Sequence, residues 1–294
     1  MKTLVIGGSG YIGSALVAKL GADSLDIKWF GGPDPTVIAH YNSLPADFYN
    51  NYDCVVLLAA HSSMAMCADN YASAWQNNVT ALSGLISKLN ANQTLIYASS
   101  GSVYGNGGLD RQESMTLATA QIEYDLTKQI GEQIAYGAKC KTVGLRFGTL
   151  SGYNPVARSD LMLNAMTISA KNTGEINCYN GTNHRSILGI NDCVRAICAI
   201  IAQPELSDQH DIFNLSSFGG SIDSFAAVAG SILNVPVIRH PEITNHFSFE
   251  LNSSKFERRY NFHFEDTAES IITSILENYD SIVWSPRNEK IKYV

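Results

Sequence analysis

Charge is scarce in this chain. Asp, Glu, Lys and Arg make up only 16% of its 294 residues, the formal charge is −7, and no cluster of lysine or arginine stands out against it. Such a chain offers no basic surface to a phosphate backbone, so nucleic acid is not an expected partner. Paired cysteines are missing too. Cys54, Cys67, Cys140, Cys178, Cys193 and Cys198 form no C-x-x-C and have no histidine at zinc spacing. They read as small buried hydrophobes in a reducing compartment, with no metal site. No apolar run approaches the roughly 18 residues that a membrane span needs. The apolar start is interrupted after Ile6, with no cleavage site of a secretory leader behind it. No repeat, low-complexity segment or Pro/Ser-rich linker divides the chain. With 45% hydrophobic residues, what remains is a globular, cytoplasmic, enzyme-like body with a real core and no membrane partner.

What the chain does have begins at its N-terminus. Residues 3–6 (TLVI) read as a strand buried on both faces, and Gly7-x-x-Gly10-x-x-Gly13 follows at once, with Ala15, Leu16, Val17 and Leu20 at helical spacing. Strand, glycine turn and helix in succession form a phosphate-binding pattern, in which the turn lets backbone approach a pyrophosphate at a helix N-terminus. Strand and helix then alternate: strands over 25–30, 53–60, 94–99, 142–147 and 211–215, and helices through 75–86, 122–135 and up to 201. This predicts an α/β fold, a Rossmann-type doubly wound parallel sheet with a smaller, interleaved C-terminal substrate lobe. The dinucleotide-binding domain takes residues 1–150 plus about 187–216, and the lobe takes about 151–186 plus 217–294. Reading the second strand over 25–30 puts Phe30-Gly31-Gly32 where an acid would hold the adenosine ribose. Asp34 then lies too far on, and no arginine stands near for a 2′-phosphate. NAD and NADP therefore both stay open as cofactor, NAD first.

Tyr124 and Lys128 stand at i, i+4 on a predicted helix face, where an ammonium favours the phenolate and lowers the tyrosine toward a useful base. Ser100, at a strand end, could meet the same substrate oxygen. His61 reads as a hydrogen-bonded loop residue, Met162 and Met166 as core packing, and 255–259 as a solvated charged face.

GGSGYIG (7–13), DCVVLLAA (53–60), Asn77-Asn78-Val79-Thr80, YASSGSVYG (97–105), YDLTK (124–128), LRFGTLSG (145–152) and HRSILGINDCVRAI (184–197) occur in that order. In this the chain resembles the extended short-chain dehydrogenase/reductases, and among them the NAD-dependent epimerase/dehydratase group acting on nucleotide sugars. The likeness covers residues 1–215 well and the rest loosely. It implies that Gly7, Gly10, Tyr11, Ile12 and Gly13 hold the cofactor, with Ala60 along the adenosine side and Asn77 nearby. It implies Tyr124 as acid/base, Lys128 on the nicotinamide ribose, Ser100 on the reacting oxygen, and Thr149 and Arg185 toward the substrate, Arg185 on its phosphates. A surface or interlobe salt bridge is the other reading of Arg185. A homodimer is implied as well.

The departures from the family pattern are informative. The Asp-Glu pair of the 4,6-dehydratases is replaced by Gly101 and Ser102. Thr149 stands where many members have Asn, and the late Arg-Pro-Gly-Asp type of segment is replaced by residues 241–245. The sequence thus points first to epimerisation through a transient 4-keto sugar, then to an NADPH-dependent 4-keto-sugar reductase, and last to a non-catalytic NAD(P)-binding sensor or scaffold.

Overall fold

The short aliphatic runs of the sequence are buried on both faces. In the computed structural model, which describes residues 1–242 and 247–285, seven strands build one parallel sheet. They are β1 (Thr3–Ile6), β2 (Asp23–Asp26), β3 (Val37–Ile38), β4 (Cys54–Leu57), β5 (Thr94–Ser100), β6 (Lys141–Phe147) and β7 (His210–Leu215), in the order β7-β6-β5-β4-β1-β2-β3. Alternation along each strand sends neighbouring side chains to opposite faces. Val5, Val56 and Ile96 enter one core with Leu16, Val17 and Ile197, whereas Leu4, Val55 and Leu95 enter a second with Leu82, Leu85 and Ala135. Helices α1 (Tyr11–Leu20) and α4 (Ile190–Ala202) cover the first face, and α2 (Ala81–Lys88) and α3 (Glu123–Tyr136) the second. Each fully buried aliphatic side chain contributes about 1.5–3 kcal/mol. Five of the six cysteines are buried and all are free thiols.

The strand order reverses beside β1, and this places a crevice at the carboxyl ends of β1 and β4. The α/β, doubly wound reading of the sequence holds. Around the crevice lie smaller pieces. Thr149–Ser151 and Phe218–Ser221 flank His184–Gly189, Ile176–Cys178 pairs with Val237–Arg239, and Phe249–Leu251 pairs with Gly108–Arg111. Helices Met162–Thr173, Ile222–Leu233 and Ala268–Glu277 pack among them, burying Met166, with Met162 against the same core. No helix among the described residues is long and apolar enough to cross a membrane.

Three local readings change. The second strand stops at Asp26 rather than at residue 30, because Ser9 and the Ile27 amide capture the Asp26 carboxylate and turn the chain. The helix read over 75–86 is broken by a π-helical turn at Gln76–Thr80, which carries the buried pair Asn77 and Asn78. Residues 255–259 are not merely solvated: Lys255 pairs with the buried Asp211, and Phe256 between them is fully buried. Ser285 closes the strand Val283–Ser285, paired with Val156–Arg158, while residues 286–294 of the polar tail lie outside the described residues.

Candidate active site

Two glycines of the turn answer crowding and the third leaves space open. Gly7 has φ +89°, and a Cβ there would stand 2.7 Å from the Ala59 amide; a Cβ on Gly13 would stand 2.0 Å from the Gly7 carbonyl. Both glycines are required by close backbone packing. Gly10 differs, since its Cβ would meet nothing but the Gly7 carbonyl at 3.4 Å. Gly10 is also the N-cap of α1 and gives its first turn no side-chain acceptor. The omitted side chain leaves a cradle before unsatisfied amides, suited to an anion such as a pyrophosphate. A dinucleotide fits this feature.

A cleft of about 540 Å³ runs from this turn across the carboxyl ends of the strands. It brings Gly7, Gly10, Tyr11, Ile12, Gly13, Ala60, Asn77, Ser100, Tyr124, Lys128, Thr149 and Arg185 to one surface. Every residue named there as a cofactor, substrate or acid/base candidate lines this cleft. Tyr11 contributes backbone more than side chain: its hydroxyl donates to the Gly152 carbonyl at 2.7 Å, and its own carbonyl accepts from Asn154, tying the turn to the second lobe. Of the segment 241–245, residues 243–245 lie outside the described residues.

Helix α3 presents Tyr124 and Lys128 on one face, with the Lys128 ammonium 5.8 Å from the Tyr124 ring centre and donating to the Ala98 carbonyl at 2.8 Å. Its position is fixed from below. Asn78 accepts from the His61 amide, returns a bond to the His61 carbonyl, and donates to the Thr127 hydroxyl, which in turn donates to the Tyr124 carbonyl. His61 is the hydrogen-bonded loop residue expected, its ring against Asn77 at 3.2 Å, and burial keeps it toward the neutral form. The expected lowering of Tyr124 by Lys128 does not occur among the protein groups. Burial pushes the phenol up to about 12, outweighing its hydrogen bond with Ser100, and burial pulls Lys128 down to about 8. Desolvation acts on both charged forms at once, and at this separation the pair does not compensate it.

Arg185 enters from the strand His184–Gly189. It donates to the His184 carbonyl, lies 6.0 Å from the Phe249 ring, and is lowered to about 10 by burial. No carboxylate pairs with it among the described residues, so the salt-bridge reading finds no partner there. A buried guanidinium in this state favours an incoming anion.

Three groups escaped the sequence reading. Asp26 lines the same cleft, 5% exposed, and accepts from the Ser9 amide and hydroxyl at 3.1 and 2.9 Å. The usual spacing of about 20 residues from the first glycine to the ribose acid would have found it. Asn78 fixes the helix that carries Tyr124. Asp125, 1% exposed, accepts a hydrogen bond from Ser102 and is pushed up to about 6 by burial.

The Asp125 shift has a stability consequence. The native state holds its proton more tightly than an unfolded chain, so that stabilisation is complete below about pH 4 and is lost as pH rises through about 6. Asp125→Asn has no charge to bury. It is expected to exceed the parent in stability above pH 6 by at most about 3 kcal/mol, with the margin vanishing near pH 4 in thermal melts.

Known proteins of similar sequence and shape agree with this geometry. Protein CapI of Staphylococcus aureus is 29% identical over 236 residues, covering 69% of this chain and 70% of CapI. An uncharacterized UDP-glucose epimerase, YtcB, of Bacillus subtilis is 28% identical over 237 residues, covering 70% and 74%. The structure of UDP-glucuronic acid 4-epimerase from Bacillus cereus, in complex with UDP-glucuronic acid and NAD, superimposes with a TM-score of 0.80 at 19% identity, covering 96% of this chain and 98% of that one. The model of the NAD dependent epimerase/dehydratase family matches residues 3–216, a span that holds the glycine turn, Ser100, Tyr124 and Lys128. The chain belongs to that family of enzymes.

Proposed function

We propose that this enzyme epimerises a nucleotide-activated sugar through a transient 4-keto intermediate, with NAD as cofactor. The convergence of Ser100, Tyr124 and Lys128 beside the open N-terminus of α1 in one cleft carries the reading. When bound, the nicotinamide accepts a hydride from the sugar and returns it. The chain's own residues orient and handle protons. The amides at Gly10 to Gly13 hold the pyrophosphate, Ala60 and Asn77 line the cofactor side, and Lys128 takes the nicotinamide ribose. Tyr124 removes the proton of the sugar hydroxyl and returns it to the same oxygen once the 4-keto sugar has turned its opposite face to the cofactor, while Ser100 hydrogen-bonds the reacting oxygen. Arg185 pairs with the substrate phosphates, Thr149 lies on the nucleotide side, and residues 151–186 with 217–294 form the substrate lobe.

Two observations favour this over the rivals. Gly101 and Ser102 cannot supply the acid and base of a 4,6-elimination. Asp26 puts a carboxylate at the end of β2, where it suits a ribose 2′-hydroxyl and repels the 2′-phosphate of NADP. Asp26→Asn is therefore expected to weaken NAD binding about 10- to 100-fold, the loss of one charged hydrogen bond. It should also narrow the NAD-to-NADP preference in paired fluorescence titrations.

The testing experiment denatures freshly purified protein, identifies released nucleotide by chromatography, and incubates fresh protein with UDP-glucose and UDP-glucuronic acid. Retained NAD and a C4 epimer without accumulating NADH support the proposal. Retained NADPH with one-way ketone reduction would replace it by the reductase. Binding of neither dinucleotide would overturn the reading of the glycine turn.

A further inference from the structure

Behind Ser100 lies a line of hydroxyls that ends on a carboxylate. Ser100 sits on the last position of β5, and the turn Gly101–Tyr104 brings Ser102 back so that the two hydroxyl oxygens are 2.8 Å apart. The Ser102 amide donates to the Ser100 oxygen at 3.2 Å, and the Ser102 hydroxyl donates to Asp125 on α3. Ser102 is 5% and Asp125 1% exposed, so no bulk water takes either part.

Each hydroxyl has one proton, and this gives the line a direction. When Asp125 is ionised, the Ser102 proton is committed to it. The contact between the serines is then made by the Ser100 proton, and Ser100 turns a lone pair to the cleft. When Asp125 is protonated, the order reverses: Asp125 donates to Ser102, Ser102 to Ser100, and Ser100 presents O–H to the reacting oxygen. Only the second direction steadies negative charge on that oxygen.

We propose that Asp125, through Ser102, is the positioning residue that decides whether Ser100 meets the reacting oxygen as a hydrogen-bond donor or as an acceptor. The inference rests on the proposed epimerase chemistry for its kinetic consequence, though the hydrogen-bonded line is independent of it. Burial holds the Asp125 ionisation in the range where such a change occurs near neutral pH, and among the described residues no cation is placed against it. The titratable groups its charge reaches are Tyr124 beside it and Cys67 on the facing helix Met64–Asp69; Glu123 and Lys128 act on Cys67, and Arg158 acts on Tyr124.

The kinetic test follows single-turnover hydride transfer from UDP-glucose, in the NAD-loaded protein, between pH 5 and 8. Set against the alkaline rise that Tyr124 gives parent and variants alike, the parent rate is expected to fall with rising pH through the Asp125 ionisation, by up to about tenfold per pH unit. That limb should be absent from both Asp125→Asn and Ser102→Ala. A limb that survives in either variant, or a parent without one, overturns the proposal. A second readout needs no turnover, so it separates failure of this inference from failure of the epimerase reading. The Asp125 carboxyl is identified by infrared difference against Asp125→Asn and titrated in Ser102→Ala and Ser100→Ala. Its ionisation should move to higher pH in both, since each removes a hydroxyl proton that supports the carboxylate. An ionisation unmoved by either substitution overturns the proposal whether or not UDP-glucose reacts.

Discussion

Tyr124→Phe is expected to lower turnover by about 10²- to 10⁴-fold, the range of a lost general acid–base, while the protein still folds and retains its dinucleotide. Phenylalanine keeps the ring against Lys128 and removes only the oxygen that exchanges a proton with the sugar. The pH dependence gives the claim its sign. Burial raises Tyr124 to about 12 among the protein groups, so the phenolate is the minor form at neutral pH. Oxidation of the sugar should accelerate with alkaline pH in the parent, and the residual rate of Tyr124→Phe should not. Stopped-flow measurement of hydride transfer between pH 7 and 10 checks both. A Tyr124→Phe enzyme that turns over like the parent would remove this residue from the chemistry.

The second large effect is structural and lies just beneath the site. Glu132 on α3 and Arg146 on β6 form a bidentate pair, at 2.9 and 2.7 Å, with side chains only 2% and 5% exposed. Glu132 also accepts from Ser99, the neighbour of Ser100, and Arg146 donates to Tyr104, whose hydroxyl donates to Asn214. This network ties α3, β5, β6 and β7 together under the catalytic strand end. Glu132→Ala leaves a buried guanidinium without its anion, and about 3–5 kcal/mol of destabilisation is expected. For a chain of this size that corresponds to a melting temperature lower by roughly 10 °C. The double variant Glu132→Leu with Arg146→Met has no charge to strand, and most of the stability should return. Calorimetry distinguishes the two. A double variant no more stable than the single would show that the network holds through its hydrogen bonds rather than its charges.

Much of this protein was legible in one dimension. TLVI and CVVL are nearly continuous apolar runs because a parallel sheet covered by helices wets neither face. The glycine spacing was legible because backbone crowding at Gly7 and Gly13 is a local consequence of a strand turning straight into a helix. The helical repeat put Tyr124 and Lys128 on one face, and the resemblance to a known family gave the pair its expected role. What the sequence determined by itself was therefore the order of elements, the α/β class and the residues that the strand ends would gather in one crevice.

The tertiary structure decided partners and environments. Asp26 came to line the cleft at the end of the second strand, held there by Ser9, 17 positions away. Asn78 became the fastening of α3 through Thr127, 49 positions on, and Asp125 met Ser102 across 23. Burial reversed the expected shift of Tyr124, and among the described residues no carboxylate pairs with Arg185. Period and composition follow from forces along the chain. Which carboxylate is desolvated, and which hydroxyl reaches it, depends on segments far apart in sequence, and only folding brings those together.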